Sequence, residues 1–164
     1  MPGIVVEIKP VIVVMNGIEF MQYGNYYLDA AEYLSSKEPD GWFDPLPYQL
    51  LCQSLELHLK SFIWLVDGLG RKTMKNKYGH DIVKLWRHAK ERGLSRYCKL
   101  TPARDEALAL LGPFYKNRKF AYLDIEMSWE GIPTLRAHPQ AKRVLMRLCK
   151  QLRKSLHKPI LNAS

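Results

Sequence analysis

The pentapeptide Lys77-Tyr78-Gly79-His80-Asp81 puts a cation, a titratable imidazole and a carboxylate within five residues. A histidine beside a lysine can exchange protons with a substrate whose negative charge the lysine holds. The same residues have a structural reading. Asp81 caps a following helix, Gly79 frees the turn, and His80 bridges to Glu56 on the preceding long helix. Further along, Tyr115 and Arg118 supply a phenol and a guanidinium fork. Lys77, His80, Asp81, Tyr115 and Arg118 are therefore the candidates for a phosphate-gripping groove, with His80 the one candidate for acid–base work. The competing account is a polar network that only ties the basic segment to the Tyr115 segment. Glu56, His58 and Lys60 read as structural. Glu56 and Lys60 stand four apart in the favourable order, and His58, bracketed by Ser54 and Ser61, reads as a core histidine.

Other chemistries are excluded. Gly68-Leu69-Gly70-Arg71-Lys72-Thr73 lacks the GxxxxGK[ST] spacing of a phosphate loop and follows a helix rather than a strand. The five histidines form no HExxH or other close ligand set, so no metal is expected. Cys52, Cys98 and Cys149 are far apart with no CxxC pair, which suits a reducing compartment. No GxSxG elbow is present, and no cofactor is expected.

The elements that must position these residues are mostly helical. Ile4 to Met15 carries β-branched runs broken by Lys9-Pro10 and reads as a short strand pair or an extended arm, bounded here as residues 1–17. Phe20, Tyr23, Tyr27, Ala30, Ala31 and Leu34 then recur at helical steps. Lys37 to Pro47 is a breaker zone whose Trp42 and Phe43 are expected to fold back on the core. Residues 48–66 form the strongest helix, apolar nearly all round, and so a central buried one. Gly68 to Gly79 reads as a basic loop. A helix with Ile82, Leu85, Trp86 and Ala89 on one face follows, then one opened by Thr101-Pro102 and kinked at Gly112-Pro113. Phe120 and Tyr122 read as a short extended piece, and Pro139 to His157 as the last helix. The expectation is an all-α, up-down bundle of four to five helices over residues 18–158, in one domain. The all-round apolar pattern of 48–66 also predicts a homodimer to cover it.

Charge narrows the class of partner. Residues 1–70 carry 3 Lys/Arg against 9 Asp/Glu, residues 71–104 carry 11 against 2, and residues 131–164 carry 8 against none. Two basic blocks on a chain of net charge +9 point to an anionic partner or to pairing of acidic with basic faces. With no basic stretch at Met1–Glu7 and no apolar run near the ~18 residues of a bilayer span, the chain reads as cytoplasmic, with no membrane partner.

Ser54-Leu55-Glu56-Leu57-His58-Leu59-Lys60-Ser61-Phe62 followed by Lys77-Tyr78-Gly79-His80-Asp81-Ile82-Val83-Lys84-Leu85, and later Tyr115-Lys116-Asn117-Arg118-Lys119-Phe120-Ala121-Tyr122, resemble the HEPN-like helical proteins, the higher-eukaryote and prokaryote nucleotide-binding superfamily. The resemblance covers roughly residues 20–155. It implies a helical bundle, usually dimeric, in a bacterial or archaeal defence, toxin–antitoxin or nucleotide-related setting. The ribonucleases of that family carry Arg, four to six residues, then His, and no histidine here is so preceded. The expectation is therefore a non-catalytic module that binds RNA, a nucleotide or a protein partner encoded nearby. The alternatives are a divergent metal-independent endoribonuclease and a purely structural interaction dimer.

Overall fold

The computed structural model describes residues 16–37, 44–121 and 131–163. Seven α-helices carry the fold: α1 (Gly17–Ser35), α2 (Leu46–Asp67), α3 (Arg71–Tyr78), α4 (Ile82–Glu91), α5 (Pro102–Lys116), α6 (Ile132–Ala137) and α7 (Pro139–Asn162). A single 3-10 turn, Leu94–Arg96, links α4 to α5. There is no strand among the described residues. The expected N-terminal arm over 1–17, and Trp42 and Phe43, lie outside them except for Asn16 and Gly17.

Asn16 begins α1 as a capping box. Its side chain accepts from the Ile18 and Glu19 N–H groups while Glu19 returns a bond to the Asn16 N–H. α1 then runs antiparallel along α2. The Ser61 hydroxyl donates to the Gly17 carbonyl at 2.7 Å. A Cβ on Gly17 would stand 2.2 Å from the Trp64 ring and one on Gly24 3.2 Å from the His58 ring, so glycine is what lets the two helices approach. α7 lies against both, with the Cys149 thiol donating to the Leu51 carbonyl at 3.7 Å and Arg153 paired with Asp29 of α1. α5 runs antiparallel to α4, its Asp105 meeting Trp86 and Lys90 and its Lys116 meeting Asp81.

α2 is the axis of this bundle. Leu51, Cys52, Leu55, Leu59, Phe62 and Ile63 are fully buried under α1, α4, α5 and α7 of the same chain. Much of the cover for this helix thus comes from within the chain, while Leu50, Trp64, Leu65 and Val66 stay partly buried.

Three local expectations are corrected. The basic stretch after Gly68 is not a loop throughout. Met74 and Tyr78, four apart and both buried, pull Arg71–Tyr78 into helix α3. With α6, that raises the helix count above the four to five expected. α5 includes Gly112-Pro113 and ends at Lys116. The short extended piece expected of Phe120 and Tyr122 is not found at Phe120, and Tyr122 lies outside the described residues. Phe120 sits in a turn after α5 and stacks, buried, between Phe114 and Tyr48 with ring centroids 5.7 Å from each.

Two consequences are testable. Leu59→Asp should place an unpaired charge at the centre of the bundle and cost about 4 kcal/mol or more. A soluble variant with wild-type circular dichroism and unfolding midpoint would refute the central placement of α2. The second concerns His58, which is fully buried, with Nε2 3.0 Å from Asn25 Oδ1 and Nδ1 3.3 Å from Ser54 Oγ. Burial pulls its pKa from the ordinary 6.5 down to about 4, with Ser54 opposing and Arg153 adding to the fall. The unfolded chain takes up a proton near 6.5 that the folded chain refuses until about 4. Stability from this group is therefore complete above the unfolded value and lost as pH falls through that window, by about 3 kcal/mol in all. Urea midpoints between pH 7.5 and 4.5 should fall steeply in the wild type and less so in His58→Gln. Equal slopes would remove His58 as the source.

Candidate functional site

Gln49, Gln53, Glu56 and Lys60 recur at four-, three- and four-residue steps along α2, which draws a polar seam down an otherwise apolar helix. Glu56 is 1% exposed and is the seam's centre. Its Oε1 accepts from the Lys60 ammonium at 2.5 Å. Its Oε2 accepts from the Tyr115 hydroxyl at 2.6 Å and faces His80 Nδ1 at 3.0 Å. A carboxylate can take several donors, and here they come from α2 itself, the turn before α4 and the end of α5. Lys60 also donates to the Gly79 carbonyl at 3.1 Å. Gly79 holds φ 55° and ψ −120°, a conformation closed to side-chain-bearing residues, so the turn that presents His80 needs glycine there.

His80 is oriented by this anchor. With Nδ1–H donated to Glu56, the lone pair lies on Nε2, on a side chain that is 48% exposed. The ring stands edge-on to Tyr115 with centroids 6.0 Å apart. Burial, reinforced by the Glu56 carboxylate, pushes the Tyr115 phenol well above its ordinary value and keeps it protonated. The same hydroxyl lies 2.7 Å from Gln53 Oε1, so the two acceptors Glu56 and Gln53 converge on its one proton.

These groups floor an open pocket of about 270 Å³ lined by Gln49, Gln53, His80, Tyr115, Arg118 and Ala121. Arg118 is the one non-glycine residue at positive φ (58°) among those described. It stands where a Schellman motif ends α5, with the Arg118 N–H donating to the Tyr115 carbonyl at 3.0 Å and the Lys119 N–H to the Phe114 carbonyl at 2.8 Å. Glycine is the usual residue at that position, and a side chain there costs about 1–2 kcal/mol. The Arg118 guanidinium has no partner among the described residues. Gln49 brings a second unmet group, since its Oε1 is buried with no hydrogen bond.

The five sequence candidates are thus divided. His80, Tyr115 and Arg118 share the pocket, although the Tyr115 hydroxyl is committed to Glu56 and only its ring forms wall. Asp81 is not in the pocket. It accepts the Lys84 N–H at 2.9 Å as the cap of α4 and pairs with Lys116 at 2.8 Å, which holds its pKa low against the opposing effect of burial. Lys77 is exposed on α3 with its ammonium 5.2 Å from the Tyr78 ring centroid, and it does not line the pocket. The neighbouring groove, lined by Asp81, Lys84, Arg87, Lys116 and Asn117 among others, is basic. Gln49, Gln53, Lys84, Arg87 and Lys116 were not among the sequence candidates. The spacing of Gln49, Gln53, Glu56 and Lys60 was the available signal for the first two.

No set of three metal-ligating side chains exists among the described residues. Burial raises the pKa of all three cysteines, that of Cys149 to about 12, so none is a poised thiolate. No helix among the described residues is long and apolar enough to cross a membrane. Comparison with family models, curated proteins and solved structures gives no match.

The Glu56 cluster generates a stability prediction. Glu56→Gln leaves the Lys60 ammonium buried without its counter-charge and should cost about 3–5 kcal/mol in urea unfolding. Replacing both partners, Glu56→Leu with Lys60→Met, should cost less than the sum of the two single changes. Additive losses would show that the pair acts as two independent side chains.

Proposed function

We propose that this chain is a non-catalytic HEPN-like module that holds RNA or a nucleotide by a phosphate in the pocket between α2 and the end of α5. The observation that carries the reading is Arg118, whose unpaired guanidinium sits at a strained backbone position in the same open pocket as the Glu56-anchored His80. Strain of this kind persists where the surroundings enforce it, and such positions cluster at ligand sites. Arginine offers a phosphate oxygen a bidentate fork, and His80 Nε2, once protonated, a further donor. The pocket sits near the small end of ligand sites, which suits a phosphate with part of its sugar, and leaves a base to the unmet amide of Gln49.

One observation favours a second reading, a metal-independent endoribonuclease. An arginine and a histidine that the chain separates by 38 positions are brought to one pocket, and the histidine is backed by a carboxylate. In that reading His80 Nε2 removes the 2′-hydroxyl proton, O2′ attacks phosphorus, the P–O5′ bond breaks, and O5′ takes a proton from water. Arg118 balances the charge on the phosphorane.

Arg118→Gly separates binding from folding. Glycine relieves the positive φ, so the variant should unfold at the same temperature as wild type or higher, while affinity for 5′-AMP in calorimetry falls at least tenfold. Unchanged affinity would sink the pocket assignment. Labelled RNA incubated with EDTA tests the second reading. Cleavage by wild type that disappears in His80→Ala makes the chain an enzyme, and intact RNA leaves the binding module.

A further inference from the structure

Helix α7 turns Ala141, Leu145, Leu148, Leu152, Leu156 and Ile160 into the core. At 100° per residue, Arg143, Arg147, Lys150, Lys154, His157 and Lys158 fall in a band about 100° wide on the opposite side. All six are exposed. From Arg143 to Lys158 the row runs about 22 Å along the axis. Lys150 is paired with Glu32 of α1. Arg143, Arg147, Lys154 and Lys158 have no ion pair with any described residue, and residues 131–164 contain no acid that could supply one locally.

We infer that this outer face of α7 is a second binding surface, a rail for the phosphate backbone of a nucleic-acid strand. It stands independently of the pocket assignment. Like charges three and four apart on a helix repel, so the row is unfavourable to α7 itself, and a polyanion laid along it removes that repulsion. The form of the row favours a strand over other anionic partners. A protein interface needs apolar or aromatic anchors at its centre, and none stands within the band between Arg143 and Lys158. The large apolar residue exposed on α7, Leu161, lies beyond the last charge. An amphipathic helix that binds a bilayer inserts its apolar face, and that face of α7 is buried in the bundle. What remains is recognition by charge in a line.

The test is fluorescence anisotropy with a labelled 20-nucleotide single-stranded RNA of mixed sequence, titrated between 50 and 200 mM salt. Arg143→Gln, Arg147→Gln, Lys154→Gln and Lys158→Gln are combined in one variant. All four positions are exposed and glutamine keeps helix propensity, so circular dichroism should be unchanged. The variant should bind at least tenfold more weakly at 50 mM salt. Its plot of log affinity against log salt should be shallower by about 3, the value for four lost phosphate contacts on a single strand. Arg118→Gly should keep the slope within about one contact of wild type, which separates the rail from the pocket. Wild-type affinity and slope in the quadruple variant would overturn the inference. So would wild-type binding to phosphatidylserine-containing vesicles with none to RNA.

Discussion

A carboxylate taken out of water must be met by donors from several directions, and the way Glu56 is met determines much of the rest. Lys60 answers it from the same helix, His80 from the turn before α4, and Tyr115 from the last turn of α5. Two of the three have a second contact, Lys60 with the Gly79 carbonyl and Tyr115 with Gln53. Removing the charge would therefore disturb three elements together. An apolar residue in its place would pack α2 well enough, because buried ion pairs rarely add stability over well-fitted hydrocarbon. What hydrocarbon would not do is fix the tautomer and direction of an imidazole at the surface. The carboxylate makes sense as a positioning device for His80, with the bundle carrying its cost.

The geometry at the other side of the pocket follows from how α5 stops. A helix that ends in a Schellman motif needs one left-handed residue, and glycine would serve best there. Arg118 occupies it instead, and so its side chain leaves the helix at the pocket rim rather than continuing along the α5 surface. The same turn swings Phe120 back between Phe114 and Tyr48, which seals the wall behind it. Backbone strain, an aromatic clamp and an unpaired cation thus come from one stretch of about seven residues. Across the pocket, the Glu56 cluster fixes the partner imidazole.

Helical periodicity made the bundle legible. The buried face of α2, the Thr101-Pro102 start of α5 and the apolar stripe of α7 could each be read from spacing alone. The errors came where short-range signals compete. Arg71–Tyr78 is too polar to look helical, yet two buried residues one turn apart are enough when tertiary contacts supply the rest. At the site, the link between His80 and Glu56 was readable because a histidine next to a helix cap looks for a fixed carboxylate. Which of Lys77 and Arg118 would accompany it was not. Lys77 is near in sequence, but α3 carries it away, whereas Arg118 arrives through a chain reversal that only the packed structure defines. The polar seam of Gln49, Gln53, Glu56 and Lys60 was present in the spacing but hidden by the number of leucines around it.

The unequal charge along the sequence is partly resolved in space. Part of the acidic first half is consumed internally. Asp29 and Glu32 of α1 take Arg153 and Lys150 of α7, and Asp67 at the end of α2 takes His88 and Arg92 around α4. On α7 this pairing takes Lys150 and Arg153, whose side chains reach α1. Other cations on the outer face of α7 have no ion pair among the described residues. These are Arg143, Arg147, Lys154 and Lys158. Acidic residues could have been interspersed there at no cost to the core, and i,i+4 pairs would have favoured the helix. Their complete absence after residue 130 is therefore not a requirement of folding. Such a face carries one sign against its own repulsion, a cost that a polyanion laid along it would relieve.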